Sequence, residues 1–117
     1  MTTIPPCPDS PNCVSSVPGT DSEHFVEPLY YSGTIGEAKA RLLGIIRTMP
    51  RTRILRDDSY YLRVECTSFL FRFVDDLEFW FDTEEPRIDV RSASRVGHSD
   101  FGVNRKRVEE IRIKFSQ

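Results

Sequence analysis

The feature that most constrains this chain is an alternation of apolar and polar residues through its middle. In YYLRVECTS, Tyr60, Leu62, Val64 and Cys66 alternate with Tyr61, Arg63, Glu65 and Thr67. In LEFWFD, Leu77, Phe79 and Phe81 take one side, and Glu78, Trp80 and Asp82 the other. A period of two is that of a strand with one face against a core. At SFLFRF the apolar phase moves to Phe69, Phe71 and Phe73. A slip of one residue reverses the faces, so a turn or bulge is expected near Ser68. RTRILR leads to a turn at DDS, VDD reads as a tight turn into LEFWFD, and TEEP reads as the turn into RIDVRSAS. Connections this short favour an antiparallel meander.

Helical spacing appears in TIGEAKARLLGIIRTMP. Thr34 and Glu37 stand three apart, as in a capping box, where the hydroxyl takes one unpaired N–H and the carboxylate reaches back for another. Ile35, Ala38, Leu42, Ile45 or Ile46 and Met49 then share one face, and Pro50 stops the helix. Near the end of the chain, Asp100 or Ser99 is placed to cap a second helix with Val108, Ile111 and Phe115 inward. The alternation of Ile111, Ile113 and Phe115 leaves a strand open there, and the helix is preferred. EPLYYSG reads as a short strand. Residues 1 to 28 hold most of the eight prolines and little periodicity. The expected architecture is α+β: an antiparallel sheet of about five strands, with one long helix and a C-terminal helix on one face. An irregular Pro-rich arm, 1–28, packs on a single domain, 29–117.

The 117 residues suffice for one core, and 38% hydrophobic with 29% charged residues marks a globular chain. The formal net charge of -2 argues against a general nucleic-acid binder. No apolar run approaches the ~20 residues of a spanning helix. The start, MTTIPPCPDSPNC, lacks a basic and an apolar signal region, so the expected location is cytoplasmic. A monomer or a homodimer is expected. No phosphate loop, dinucleotide glycine motif, HExxH or serine nucleophile elbow is present in the sequence.

RSASRVGHSDFGVNR, Arg91 to Arg105, carries the densest chemistry. Arg91 and Arg95 offer planar forks suited to a carboxylate or phosphate. Ser92, Ser94 and Ser99 add hydroxyls, and Gly97 and Gly102 permit sharp turns or close backbone approach. A helix starting at Asp100 or Ser99 would add a positive end. The alternative is structural: Arg91 paired with Asp75, Asp76 or Glu78, and Arg95 with Asp100. CPDSPNC places Cys7 and Cys13 six apart. They could bridge, bind metal or act in redox chemistry, but the spacing exceeds that of common zinc pairs, and His24 or His98 would join only through folding. No metal or cofactor is expected. In a reducing compartment the thiols would stay free, with Asp9, Ser10 and Asn12 forming a turn. Asp75 and Asp76 read as solvated turn residues rather than an acid–base pair. His98 is a loop base or a residue without a role, and Cys66 a packing group. Trp80 and its neighbours, if uncovered, would line an apolar cleft or a dimer contact.

CPDSPNCVSS, FVDDLEFWF and VRSASRVGHSDFGVNRKRVEEIR together resemble the domain-of-unknown-function 1499 family, over nearly the whole chain. That family has no assigned activity, and some members are envelope- or organelle-directed. The resemblance implies that the Cys-Pro arm and the Arg-Ser-Arg segment meet in space. Cys7, Asn12, Cys13, Arg91, Ser92, Ser94, Arg95, Asp100 and Asn104 would then surround one pocket.

The leading expectation is a small binding module. Its cleft, where the last strands, the C-terminal helix start and the arm meet, would hold a small anionic ligand. Arg91 and Arg95 would bind, Ser94 and Asn104 orient, and Asp100 fix an arginine. A thiol-dependent enzyme using Cys7 or Cys13 with His98 is the second expectation. A structural or interaction protein with an internal salt-bridge network is the third. Whether there is catalysis is left open.

Overall fold

The alternating runs in YYLRVECTS and LEFWFD become strands of one antiparallel sheet. The structure, a computed structural model, describes residues 4–69, 72–97 and 102–117. In chain order the elements are β1 (Cys13–Ser15), β2 (Leu29–Tyr30), α1 (Ile35–Arg47), β3 (Thr52–Asp58), β4 (Tyr61–Thr67), β5 (Val74–Phe81), β6 (Arg87–Ser94) and α2 (Val103–Phe115). The sheet has six strands in the order β1-β6-β5-β4-β3, and β2 also pairs with β6. It has one strand more than expected, because Cys13–Ser15 of the arm adds to the β6 edge opposite Arg91–Ala93. The two helices are equal, at 13 residues each, rather than one long and one terminal.

Register fixes two faces. Leu62, Phe79 and Val90 stand side by side across β4, β5 and β6, as do Val64, Leu77 and Ser92. These face the helices, where Leu42 and Ile46 of α1 and Val108, Ile111 and Phe115 of α2 close the core. Arg63, Glu78, Arg91 and Ser15 form a row on the opposite face.

Helix α1 starts as expected: Thr34 accepts from the Glu37 N–H, and Glu37 accepts from the Thr34 N–H. Such a cap contributes about 1 kcal/mol. A turn does fall at Ser68, whose N–H donates to the Phe73 carbonyl, and Phe69 and Phe73 are exposed in that loop. Three expectations are corrected. VDD is no turn: Asp75 and Asp76 lie inside β5, because arginines neutralise both carboxylates within the fold. The N-cap of α2 is Gly102, in the left-handed region at φ 79, without a side-chain cap, in place of Asp100 or Ser99; those two lie outside the described residues. Cys7 and Cys13 are joined as a disulfide with Cα atoms 5.6 Å apart, not held as thiols. Gly97 and Gly102, both at positive φ, serve the turn reading.

Candidate functional site

The period of two divides the expected pocket across the sheet. Ser92 and Ser94 stand on the helix face, opposite Leu77 and Asp75. Arg91 stands on the other face, opposite Glu78. Asn12 and Asn104 join the serines. The disulfide joins the arginine side, since Cys13 pairs with Ala93. Asp100 and His98 lie outside the described residues.

On the open face, the guanidinium groups meet carboxylates. Arg95 donates to both Asp76 oxygens at 3.1 and 2.9 Å and pairs with Glu65 at 3.0 Å. Arg63 donates to Asp76 at 3.1 Å, and Arg91 pairs with Glu78 at 3.5 Å. Burial pushes the Asp76 carboxyl up, but the hydrogen bonds from Arg95 and Arg63 outweigh it and hold the group below its ordinary value. The same Asp76 hydrogen bonds raise Arg95, so its charge is permanent. Arg91 therefore follows the structural alternative with Glu78. Arg95 uses Asp76 and Glu65, whereas its expected partner Asp100 is not described. Arg91 also donates weakly to the Pro6 carbonyl at 3.4 Å, so the arm crosses this face.

Beneath the sheet lies a buried polar knot. Asp75 and Arg107 pair at 2.9 Å, with side chains 5% and 11% exposed. Arg107 donates to Asn104 Oδ1 at 2.8 Å and to Ser92 Oγ at 3.2 Å. Ser92 donates to Asn104, and Asn104 donates to the Asn12 carbonyl and to Ser94 Oγ, each at 3.2 Å. Asn12 in turn donates to the Gly97 carbonyl at 2.6 Å. This knot ties β5, β6, α2 and the arm together, and its protein groups satisfy one another. Cys66, buried on the same face, has its thiol pushed up by desolvation, the reverse of an activated nucleophile.

A hollow of about 340 Å³ opens where the arm meets the N-terminal end of α2. Its walls include Ser10, Pro11, Val14, His24 and Arg105. His24 is buried, with Nδ1 2.8 Å from the Asp21 carboxylate and Nε2 2.8 Å from the Ser10 carbonyl. Both partners only accept, so both ring nitrogens carry hydrogen and the ring is an imidazolium. The Asp21 and Ser10 hydrogen bonds accordingly raise its pKa. Arg105 donates to the Phe25 and Glu23 carbonyls at 2.7 Å each. Neither His24 as a clamp nor Arg105 as a wall was anticipated, because both roles depend on arm carbonyls far away in sequence.

A second cleft, of about 680 Å³, lies at the end of β4 and β5. Tyr60, Tyr61, Trp80 and Phe81 line it with Ile4 of the arm, and Asp58, Asp82 and Asp89 stand among them. The Tyr61 and Trp80 rings sit 5.4 Å apart at 49°. Trp80 itself is buried, so the condition for the expected uncovered apolar cleft is not met, and charged residues share these walls. Among the described residues no three His, Cys, Asp or Glu side chains are grouped to hold a metal.

Fold and site together define a small α+β protein with a six-stranded antiparallel sheet, two helices and a Cys7–Cys13 disulfide. The chain belongs to the DUF1499 family, proteins of unknown function, whose family model matches residues 3–115. No curated protein matches it in sequence. No helix among the described residues is long and apolar enough to cross a membrane.

Proposed function

We propose that this protein is a small binding module for an anionic small molecule, with residues 1–28 as an arm that helps wall the site against the body, 29–117. The hollow between the arm and the start of α2 carries this reading. Two cationic groups, His24 and Arg105, stand in its wall beside the carboxylates of Asp9 and Glu23, and none of the described residues expected to surround the pocket lines it. The positive end of the α2 dipole adds to them. The Asn104 side chain donates to the Asn12 carbonyl and so ties α2 to the segment that carries Ser10 and Pro11 of the wall. Arg91 and Arg95 are the weaker anchors, since an anion there competes with Glu78, Asp76 and Glu65. A thiol enzyme is disfavoured by the Cys7–Cys13 bond and by the buried Cys66.

Thermal shift with phosphate, sulfate and citrate tests the proposal. Phosphate or citrate is expected to raise the wild-type melting temperature. The rise should be retained in Arg95→Ala and lost in Arg105→Gln, each compared with its own ligand-free baseline. It should shrink as pH increases through the raised His24 pKa. Loss in Arg95→Ala alone would move the site to the open face, and no shift with any anion would refute anion binding.

A further inference from the structure

We propose that the cleft at the end of β4 and β5 is a separate binding site for a small organic cation, an ammonium with apolar substituents and a hydrogen-bond acceptor. Three observations converge. First, the walls are aromatic. Tyr60, Tyr61 and Trp80 line a space of about 680 Å³, within the range of small-molecule sites. Their ring faces attract cations, and Tyr61 already carries one: the Arg56 guanidinium carbon lies 5.1 Å from its ring centre.

Second, the charge in the walls is acidic. Asp58, Asp82 and Asp89 face a single lining cation, Arg56. Arg56 pairs with Asp58, and Arg87 pairs with Asp89. Asp82 has no ion pair among the described residues. Its Oδ1 accepts from the Glu84 and Glu85 N–H groups, which hold the carboxyl below its ordinary value and keep it ionised. Arg87 also acts on it electrostatically without pairing, so a cation in the cleft would supply an ion-pair partner, whereas an anion would be repelled.

Third, Trp80 is 8% exposed, and its Nε1 is buried with no hydrogen-bond partner among the described residues. A buried donor left unpaired is costly. A ligand oxygen would relieve it if the ring shifts to open Nε1, which is buried in this structure, to the cleft, and this separates the site from a plain cation cage.

Trp80 is the single tryptophan of the chain, so its emission reports on this cleft directly. The probes are choline, its neutral isostere 3,3-dimethyl-1-butanol, and acetate. Choline is expected to change Trp80 emission saturably, the isostere to bind at least about 5-fold more weakly because it lacks the cation–π attraction, and acetate not to bind. Asp82→Asn keeps an oxygen for the turn N–H groups and removes the charge; it should weaken choline several-fold and leave the isostere unchanged. Tyr60→Leu keeps apolar contact at a half-exposed position and removes the ring, with the same expected pattern. Circular dichroism shows that both variants fold. Equal affinity for choline and the isostere, no saturable response, or indifference to both substitutions would overturn the proposal. Because the anion hollow lies at the other end of the arm and is read by melting temperature with Arg105→Gln, either proposal can fail alone.

Discussion

Replacing Arg107 by alanine is the sharpest test of how this fold is held. Arg107 reaches from α2 through the polar knot to Asp75 near the start of β5, at 2.9 Å. With the guanidinium removed, the Asp75 carboxylate remains in a space it fills at 5% side-chain exposure, without its counter-charge. Stripping one partner from a buried pair costs about 3–5 kcal/mol, far above the ~0–1 kcal/mol of an exposed pair. Ser92 and Asn104 lose a donor at the same time, although they still bond one another. A domain of this size is stable by ~5–15 kcal/mol, so the variant should fold but melt about 12–20 °C lower, at roughly 4 °C per kcal/mol. Urea unfolding followed by circular dichroism gives the free energy. The double variant Asp75→Leu/Arg107→Met supplies the control: with both charges replaced by apolar groups, it should lie within about 2 kcal/mol of the wild type. If Arg107→Ala costs less than about 1 kcal/mol, or the double variant is worse than Arg107→Ala alone, the knot does not hold a buried charge pair and the argument fails.

Two further outcomes are expected. Cys7→Ser/Cys13→Ser, or reduction of the wild type, should cost about 2 kcal/mol, the chain entropy of so short a loop; it should also alter Trp80 emission, because Ile4 of the arm lines the Trp80 cleft. Unchanged stability and emission on verified reduction would detach the arm from both. For His24, the folded pKa is raised by Asp21 and Ser10, so its stabilisation is full below the ordinary value of 6.5 and is lost as pH rises through the raised value. The partner Asp21 is lowered, so its share is present above 3.8 and lost as pH falls through the lower value. The stability gap between wild type and His24→Gln should therefore close towards high pH, and a gap constant from pH 5 to 9 would exclude the imidazolium clamp.

What the sequence discloses here is what local spacing can carry. The Thr34–Glu37 box, the inward Leu62, Val64, Cys66, Leu77, Phe79 and Phe81, and the inward set Val108, Ile111 and Phe115 depend on neighbours within a turn or a strand and stand in the fold as read, whereas Tyr60 is exposed outside β4 and Trp80 is buried on the polar side. VDD looks like a turn because two adjacent acids are normally solvated. Their arginine partners lie across the sheet and on a helix some thirty residues later, where no local pattern points. The site fared worse for a different reason. Arg91 adjoins Ser92 in the chain, yet strand parity places it on the opposite face from Ser92 and Ser94. The Cys7–Cys13 bond and the addition of Cys13–Ser15 to the sheet depend on where the arm travels, which its prolines do not state.

The pairing of β1 with β6 also sets an order of events during synthesis. Cys13 leaves the ribosome long before its neighbour in the sheet, Ala93. Contacts so distant in sequence close late. Until β6 is made, the segment that carries Cys13 has no strand to dock on, and neither hollow has all its walls. The Cys7–Cys13 loop, by contrast, needs only residues already made, so an oxidant can close it before β1 has anything to lie against.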